Sequence, residues 1–157
     1  MKKDLLILDV DKEYARKRIA ELDDEIIALG PEFYNAFNQT SESWHDNAPF
    51  EFVRDKQTLL STEMQNLKQI LRDSLPSVPK QKQGVVGIGA VVEVLNLNTG
   101  KSSRYFIAGD WTAFAGHKVD DATIISRGSP LAKEMLGKKL NDEVNFKDIL
   151  LITSIVQ

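Results

Sequence analysis

The segment of residues 40–52, TSESWHDNAPFEF, concentrates side chains that could do chemistry between two stretches with helical periodicity. It carries one of the chain's two tryptophans, one of its two histidines, and carboxylates at Glu42 and Asp46. Carboxylate oxygens suit a hard divalent cation such as Mg²⁺. Because one or two carboxylates do not make a self-contained metal site, we expect these acids to complete a coordination sphere that another macromolecule begins.

The same residues also have a purely structural interpretation. Ser43 and Asp46 fit the spacing of a capping box, and Asn47 is a good N-cap for a helix with a proline in its first turn. His45 has no second histidine or cysteine at metal-ligand spacing in the sequence, which favours a solvated side chain. Trp44 has little core to enter at a helix–helix turn, so its indole either folds back over the helices or contacts a partner. Residue chemistry leaves both interpretations open.

Two apolar seams flank this segment and predict the helices that position it. Apolar residues recur in steps of four and three in both stretches, the pattern of a coiled-coil seam, and only Gln57 is polar. The seams are Ala15, Ile19, Leu22, Ile26, Leu29, Phe33 and Ala36, and then Phe50, Val53, Gln57, Leu60, Met64, Leu67 and Leu71. Gly30-Pro31 interrupts the first seam without changing its phase, which predicts one kinked, continuous helix. Matching seams with a short connection predict an antiparallel hairpin over residues 1–75, with its tip at about 41–48.

The period changes to that of strands after a proline-containing linker at residues 76–84. Two strands are predicted around the turn Asn98-Thr99-Gly100, a third at about 123–126, and two more at about 143–147 and 149–155. Ser129 as N-cap, Pro130 at the first helical position and Gly137 after the end predict a short helix between them. Residues 85–157 are therefore predicted to form a small α+β domain with an antiparallel sheet.

Composition excludes several classes of function. The chain has 157 residues and a net charge of −3, so no global basic excess indicates nucleic-acid binding. It has no cysteine, which removes disulfides, thiolate catalysis and thiolate zinc sites. The N-terminal apolar run is cut by Asp4 and Asp9, so we expect no signal peptide and no membrane span. The expectation is a soluble, cytoplasmic protein.

Two motifs resemble the Gre transcript-cleavage factors of bacterial RNA polymerase, GreA and GreB. The first follows the family's acid-rich tip, G-D-x-x-E-N-A-E-Y, and the arginine, acid and glutamine after it, with Asp46, Asn47, Ala48, Phe50, Arg54, Asp55 and Gln57. The second follows I-S-x-x-S-P-x-A-x-x-L-x-G-K-x-x-x-D-x-V, with Ile125, Ser126, Ser129, Pro130, Ala132, Leu136, Gly137, Lys138, Asp142 and Val144. The resemblance covers nearly the whole chain.

The resemblance implies a fold, a partner and a mechanism. It implies an N-terminal antiparallel coiled coil and a C-terminal FKBP-like domain, the latter docking on RNA polymerase at its secondary channel. The tip carboxylates Asp46 and Glu42 would share Mg²⁺ that the polymerase active centre supplies, and the polymerase itself would cleave backtracked RNA. The protein would then be an activator without a stably bound metal or cofactor of its own, not an enzyme, and a monomer when free.

The resemblance also assigns contact residues. Ser43, Trp44, His45, Asn47 and Arg54 would contact the RNA 3′ end or the polymerase, although an arginine on a helix flank can also simply be solvated. The loop of residues 127–130, Arg127, Gly128, Ser129 and Pro130, would dock on the polymerase, although Ser-Pro is also an ordinary helix start.

The tip departs from the family in a way that keeps a second function open. Ser43 stands at the family's first acid and Glu42 at its glycine, and a hydroxyl is a far weaker magnesium ligand than a carboxylate. Glu42 could compensate from one position away. The expectation is a cleavage-stimulating factor, and the alternative is a non-cleaving paralogue that occupies the channel and modulates or inhibits the polymerase. A prolyl isomerase is a third, weak interpretation of the C-terminal domain.

Overall fold

The chain divides into two compact units. The computed structural model describes residues 3–39 and 48–157, with only the backbone described for Phe37 and Gln39. One unit is Glu13–Arg72, and the other combines Met1–Lys12 with Asp73–Gln157. This division differs from the predicted boundary, which placed residues 1–75 in one domain. The reason is a set of non-local backbone hydrogen bonds: Leu5 N donates to Asp73 O over 2.8 Å, and Leu75 N donates to Leu5 O over 2.8 Å.

Two long helices form the unit Glu13–Arg72. Helix α1 spans Asp9–Gln39 and passes through Pro31 without a break, so the prediction of a continuous helix is confirmed. Helix α2 spans Ala48–Asp73. Arg18 pairs with Glu63, whereas Phe33, further along α1, contacts Phe50, earlier in α2. Because residue numbers rise along one helix as they fall along the other at these contacts, the two helices pack antiparallel.

The predicted seams supply the interface between α1 and α2. Six seam positions are buried, and all the others except Gln57 are half-buried, since each helix has only one neighbour to pack against in this unit. The buried seam residues are Ala15, Leu22, Leu29, Ala36, Val53 and Leu67. Gln57, the polar member of the second seam, is exposed. Among the described residues, no helix is both long and apolar enough to cross a membrane.

A six-stranded mixed sheet forms the core of the second unit. Its strands, in chain order, are β1 (Val91–Asn96), β2 (Ser102–Ile107), β3 (Lys118–Val119), β4 (Ala122–Ile125), β5 (Glu143–Phe146) and β6 (Asp148–Val156). Their order across the sheet is β3-β4-β2-β1-β6-β5. Every neighbouring pair is antiparallel except β2 and β4, which run parallel.

The prediction of an antiparallel sheet is therefore wrong for one strand pair. A parallel pair needs a crossover rather than a tight turn, and the segment after β2 supplies one before the chain enters β4. That segment has no long alternating apolar run, so its one strand, β3, was not predicted. β3 has only two residues and pairs with β4 through Lys118 and Val119.

One face of the sheet carries the core, and helix α3 (Pro130–Met135) covers it. The buried side chains here come from β1, β2, β5, β6 and α3: Val92, Val94, Ile107, Val144, Ile152, Ala132 and Met135. The predicted turn after β1 is present, with Asn96 Oδ1 accepting from the backbone N–H groups of Asn98 and Thr99 and with Gly100 at a φ of 74°.

Candidate functional site

The residues predicted to do chemistry at the helix–helix turn lie outside the described part of the chain. These are Glu42, Ser43, Trp44, His45, Asp46 and Asn47. The described helices bound the segment closely, because α1 ends at Gln39 and α2 begins at Ala48. The roles of these six residues stay predictions.

Aromatic packing joins the C-terminal part of α1 to the N-terminal part of α2. The rings of Phe33 and Phe50 meet edge to face, with 5.5 Å between their centroids and 64° between their planes. Leu29, Ala36 and Val53 are buried around them. This cluster packs the C-terminal part of α1 against the N-terminal part of α2.

Arg54 is presented to solvent one helical turn beyond Phe50. Its side chain is 57% exposed, and its Nη2 lies 3.7 Å from Oδ1 of the neighbouring Asp55. A guanidinium at this exposure can contact a phosphate or another anion. The predicted RNA contact of Arg54 stays a prediction.

A bidentate ion pair joins α1 to α2 further from the turn. Arg18 Nε donates to Glu63 Oε1 over 2.8 Å, and Nη2 donates to Oε2 over 3.1 Å. These hydrogen bonds from Arg18 lower the pKa of Glu63 despite a small opposing effect of burial. Because two parallel bonds fix direction as well as distance, the pair sets the register of the two helices.

The predicted docking loop, Arg127–Pro130, leads into α3. Ser129 has extended backbone angles, φ −68° and ψ 151°, and its Oγ accepts from Ala132 N over 3.3 Å. Pro130 occupies the start of the helix, so the prediction that Ser129 caps α3 is confirmed. Gly128 and Pro130 are exposed, whereas Arg127 is half-buried. The loop is thus an ordered helix start with an accessible surface.

Asp110 links this loop to the segment of Leu6 in the same unit, and the sequence analysis did not single it out. Its Oδ2 accepts from Leu6 N over 2.7 Å, and its Oδ1 lies 2.9 Å from Arg127 Nε. Its own backbone N–H donates to Leu6 O over 2.6 Å. The only sequence signal is an acid after a glycine at the end of a strand, and many turns share that pattern.

Two charged side chains in the first turn of α1 are buried, which was also not predicted. Asp11 Oδ1 accepts from Thr112 Oγ1 over 2.9 Å and from Ala113 N over 3.1 Å. Burial raises the pKa of Asp11, and these two hydrogen bonds oppose that rise. Lys12 Nζ donates to the carbonyl of Leu75 over 2.5 Å. These contacts join the start of α1 to the unit that contains the sheet.

An apolar cavity of about 410 Å³ lies beside the edge strand β3. Phe106, Phe114, Val119 and Ile124 line it together with Val10. The ring of Phe114 meets His117 edge to face, with 6.3 Å between centroids. The cavity is large enough for an apolar side chain, but it has few polar groups that could orient a ligand.

Residues 3–39 and 48–157 contain no further candidate metal site. Within these ranges no three histidine, cysteine, aspartate or glutamate side chains are grouped so that they could hold an ion. The predicted sharing of Mg²⁺ by Asp46 and Glu42 concerns residues outside these ranges and stays a prediction.

The match to a known family model lies within the sheet unit. Residues 80–149 match the family model for the C-terminal domain of the transcription elongation factors GreA and GreB. The GreA protein of Staphylococcus carnosus is 30% identical over 101 residues, which cover 63% of this chain and 59% of that protein. The GreA protein of Geobacillus kaustophilus is 29% identical over 102 residues, 63% of this chain and 60% of that protein. The match thus spans about three fifths of each relative.

Solved structures of related proteins align over nearly the whole chain, at low identity. GreA factor homolog 1 (Gfh1) of Thermus thermophilus is 16% identical, with a TM-score of 0.43 over 99% of this chain and 100% of that one. The GreA/GreB factor of Nitrosomonas europaea is 13% identical, with a TM-score of 0.39 over 99% of this chain and 100% of that one.

Residues 80–149 of the sheet unit thus match the C-terminal domain of the transcription elongation factors GreA and GreB, where the second sequence motif lies. The predicted resemblance to the Gre factors is confirmed.

Proposed function

We propose that the protein is a transcription elongation factor of the GreA type that binds bacterial RNA polymerase at its secondary channel. There it stimulates the polymerase's own Mg²⁺-dependent cleavage of backtracked RNA. The observation that carries the proposal is the match of residues 80–149 to the GreA/GreB C-terminal domain. That region includes the whole of the Arg127–Pro130 loop, which the sequence motif assigns to docking.

The proposed architecture follows from the same family. We take α1 and α2 as an antiparallel coiled coil and the sheet unit as FKBP-like. The alternate burial of Leu22, Leu29 and Ala36 along one stripe of α1 supports the first assignment, because coiled-coil seams repeat at this spacing. The capped helix α3 on one face of a six-stranded sheet is compatible with the second.

The docking loop has the physical properties that a recognition element needs. Of its two exposed residues, Gly128 lies between the end of β4 and α3, and Pro130 is the first residue of α3. The hydrogen bond from Ser129 N to Ser126 O, 3.0 Å long, closes the loop on itself. A loop ordered in advance loses little conformational entropy on binding, which favours affinity.

The chemistry is proposed for the turn of the hairpin. Asp46 and Glu42 would offer carboxylate oxygens to an ion that the polymerase holds, and phosphodiester hydrolysis by two metal ions would be the polymerase's reaction. Trp44 and His45 would contact the RNA 3′ end or the channel wall, and Arg54 would contact the RNA backbone. The protein is therefore proposed as an activator with RNA polymerase as its partner.

Addition of the protein to stalled, backtracked elongation complexes in Mg²⁺ tests the proposal. We expect the unaltered protein to shorten the RNA, and Asp46→Ala and Glu42→Ala to lower the cleavage rate at least about tenfold each. Asp24→Ala removes an exposed acid from α1 and is the matched control, expected to cleave at the unaltered rate. Absence of shortening, together with blocked nucleotide addition, would overturn the proposal and support the non-cleaving alternative.

A second experiment tests docking separately from cleavage. Pro130→Glu places a bulky acid on the loop surface and should abolish binding to polymerase while the melting temperature stays unchanged. Pro79→Glu makes the same change at an exposed proline outside the loop and should bind normally. Normal binding by Pro130→Glu would remove the loop from the interface.

A further inference from the structure

The two carboxylate oxygens of Asp110 contact different partners. Oδ2 accepts from Leu6 N at 2.7 Å, and Oδ1 faces Arg127 Nε at 2.9 Å. Its side chain is 19% exposed, whereas that of Arg127 is 36% exposed. The carboxylate is therefore shielded, and the guanidinium that it holds reaches the surface.

The backbone of the loop is held without this ion pair. Arg127 N donates to Gly109 O over 2.9 Å, and Ser129 N donates to Ser126 O over 3.0 Å. Asp110 is itself anchored through its N–H to Leu6 O. Because these bonds already fix the path of the chain, the contribution of the Asp110 carboxylate to Arg127 is the orientation of a long side chain.

We infer that Asp110 is a positioning residue that presents Arg127 to a carboxylate on the docking surface of the polymerase. The inference rests on the proposed function. A guanidinium carries five N–H donors, and its Nε is the nitrogen that lies 2.9 Å from Asp110 Oδ1. The four donors on the two terminal nitrogens can engage a further acceptor, and their planar fork matches a carboxylate. An arginine held in one orientation before contact loses less rotamer entropy on binding.

Binding to polymerase core enzyme, measured with fluorescently labelled protein at several salt concentrations, tests this inference. Asp110→Asn keeps an acceptor for Leu6 N but removes the charge that faces Arg127, and we expect about tenfold weaker binding. Arg127→Gln should weaken binding by a similar factor and reduce its salt dependence. The double variant should bind no more weakly than Arg127→Gln, because Asp110 acts through Arg127.

The controls separate a positioning role from a structural one. Glu93→Gln breaks an exposed pair with Arg104 in the same unit, 3.7 Å long, and should bind like the unaltered protein. If Asp110→Asn weakened binding equally in the unaltered protein and in the Arg127→Gln variant, Asp110 would have a structural role. That result would overturn the inference. Unchanged binding by Arg127→Gln would also overturn the inference. This variant leaves the shielded Asp110 in place, so a folding defect would not explain the result. Failure of the unaltered protein to bind polymerase would instead remove the proposed function, and this inference with it.

Discussion

Gly109 provides the sharpest stability prediction, because its position leaves no room for a side chain. A Cβ atom added there would lie 2.1 Å from Leu6 O and 3.0 Å from Ile7 Cα, both backbone atoms. A backbone neighbour cannot rotate away as a side chain can. The Leu6 carbonyl would have to move by about 1 Å before the contact became tolerable.

That movement breaks two hydrogen bonds at once. Leu6 O accepts from Asp110 N over 2.6 Å, and Leu6 N donates to the Asp110 carboxylate over 2.7 Å. A neutral bond contributes about 1 kcal/mol and a bond to a charged group about 2 kcal/mol, so Gly109→Ala should cost about 3 kcal/mol. For a unit of this size, the melting temperature should fall by about 15 °C.

Trp111 fluorescence in a Trp44→Phe background reports on the unit that contains Gly109, so thermal unfolding followed by this signal measures the effect. Gly128→Ala is the matched control. No heavy atom lies within 4 Å of its added Cβ, and we expect a change of less than about 0.5 kcal/mol. If Gly109→Ala melted within about 2 °C of this control, the inferred close approach of the Leu6 segment would be refuted.

Three further substitutions have expected outcomes. Gly30→Ala in α1 meets no atom within 4 Å and should stabilise the chain by about 0.5–1 kcal/mol in urea unfolding; lower stability would contradict the helical assignment. Lys147→Gly, at a φ of 61°, should also stabilise by about 0.5–1 kcal/mol, and a loss of stability would show that the lysine side chain outweighs the strain. Glu63→Gln should cost about 0.5–1 kcal/mol at pH 7. Because Arg18 lowers the folded-state pKa of Glu63, this cost should be present above pH 4.5 and disappear as the pH falls through the lowered pKa. A cost that did not decrease as the pH was lowered below 4.5 would exclude the ion pair as its source.

The helices and most strands could be predicted because their signals are local. Leu22 and Leu29 lie one heptad apart, and that spacing is readable without any knowledge of the partner helix. The unchanged phase across Pro31 likewise predicted that α1 continues. Ser129 and Gly137 mark the ends of α3 by cap chemistry that involves only neighbouring residues.

The candidate site residues also divide into those with a local signal in the sequence and those without one. Arg127 and Pro130 could be proposed for docking from the sequence because they stand in a motif of contiguous residues. Asp110 was missed because its partners, Leu6 and Arg127, are distant in sequence and meet it only after the sheet has formed. Asp11 was missed for the same reason, since its burial depends on Thr112.

The sequence by itself determined two antiparallel helices, a capped short helix among strands, and a resemblance to the Gre factors, because periodicity, capping and motif spacing are properties of neighbouring residues. Only the tertiary structure decided that β4 runs parallel to β2 and that the first residues of the chain join the unit of the sheet. It also decided that Asp110 forms an ion pair with Arg127. These features depend on hydrogen bonds and ion pairs between segments that are distant in the sequence. The donors and acceptors of such contacts form no periodic pattern in the sequence.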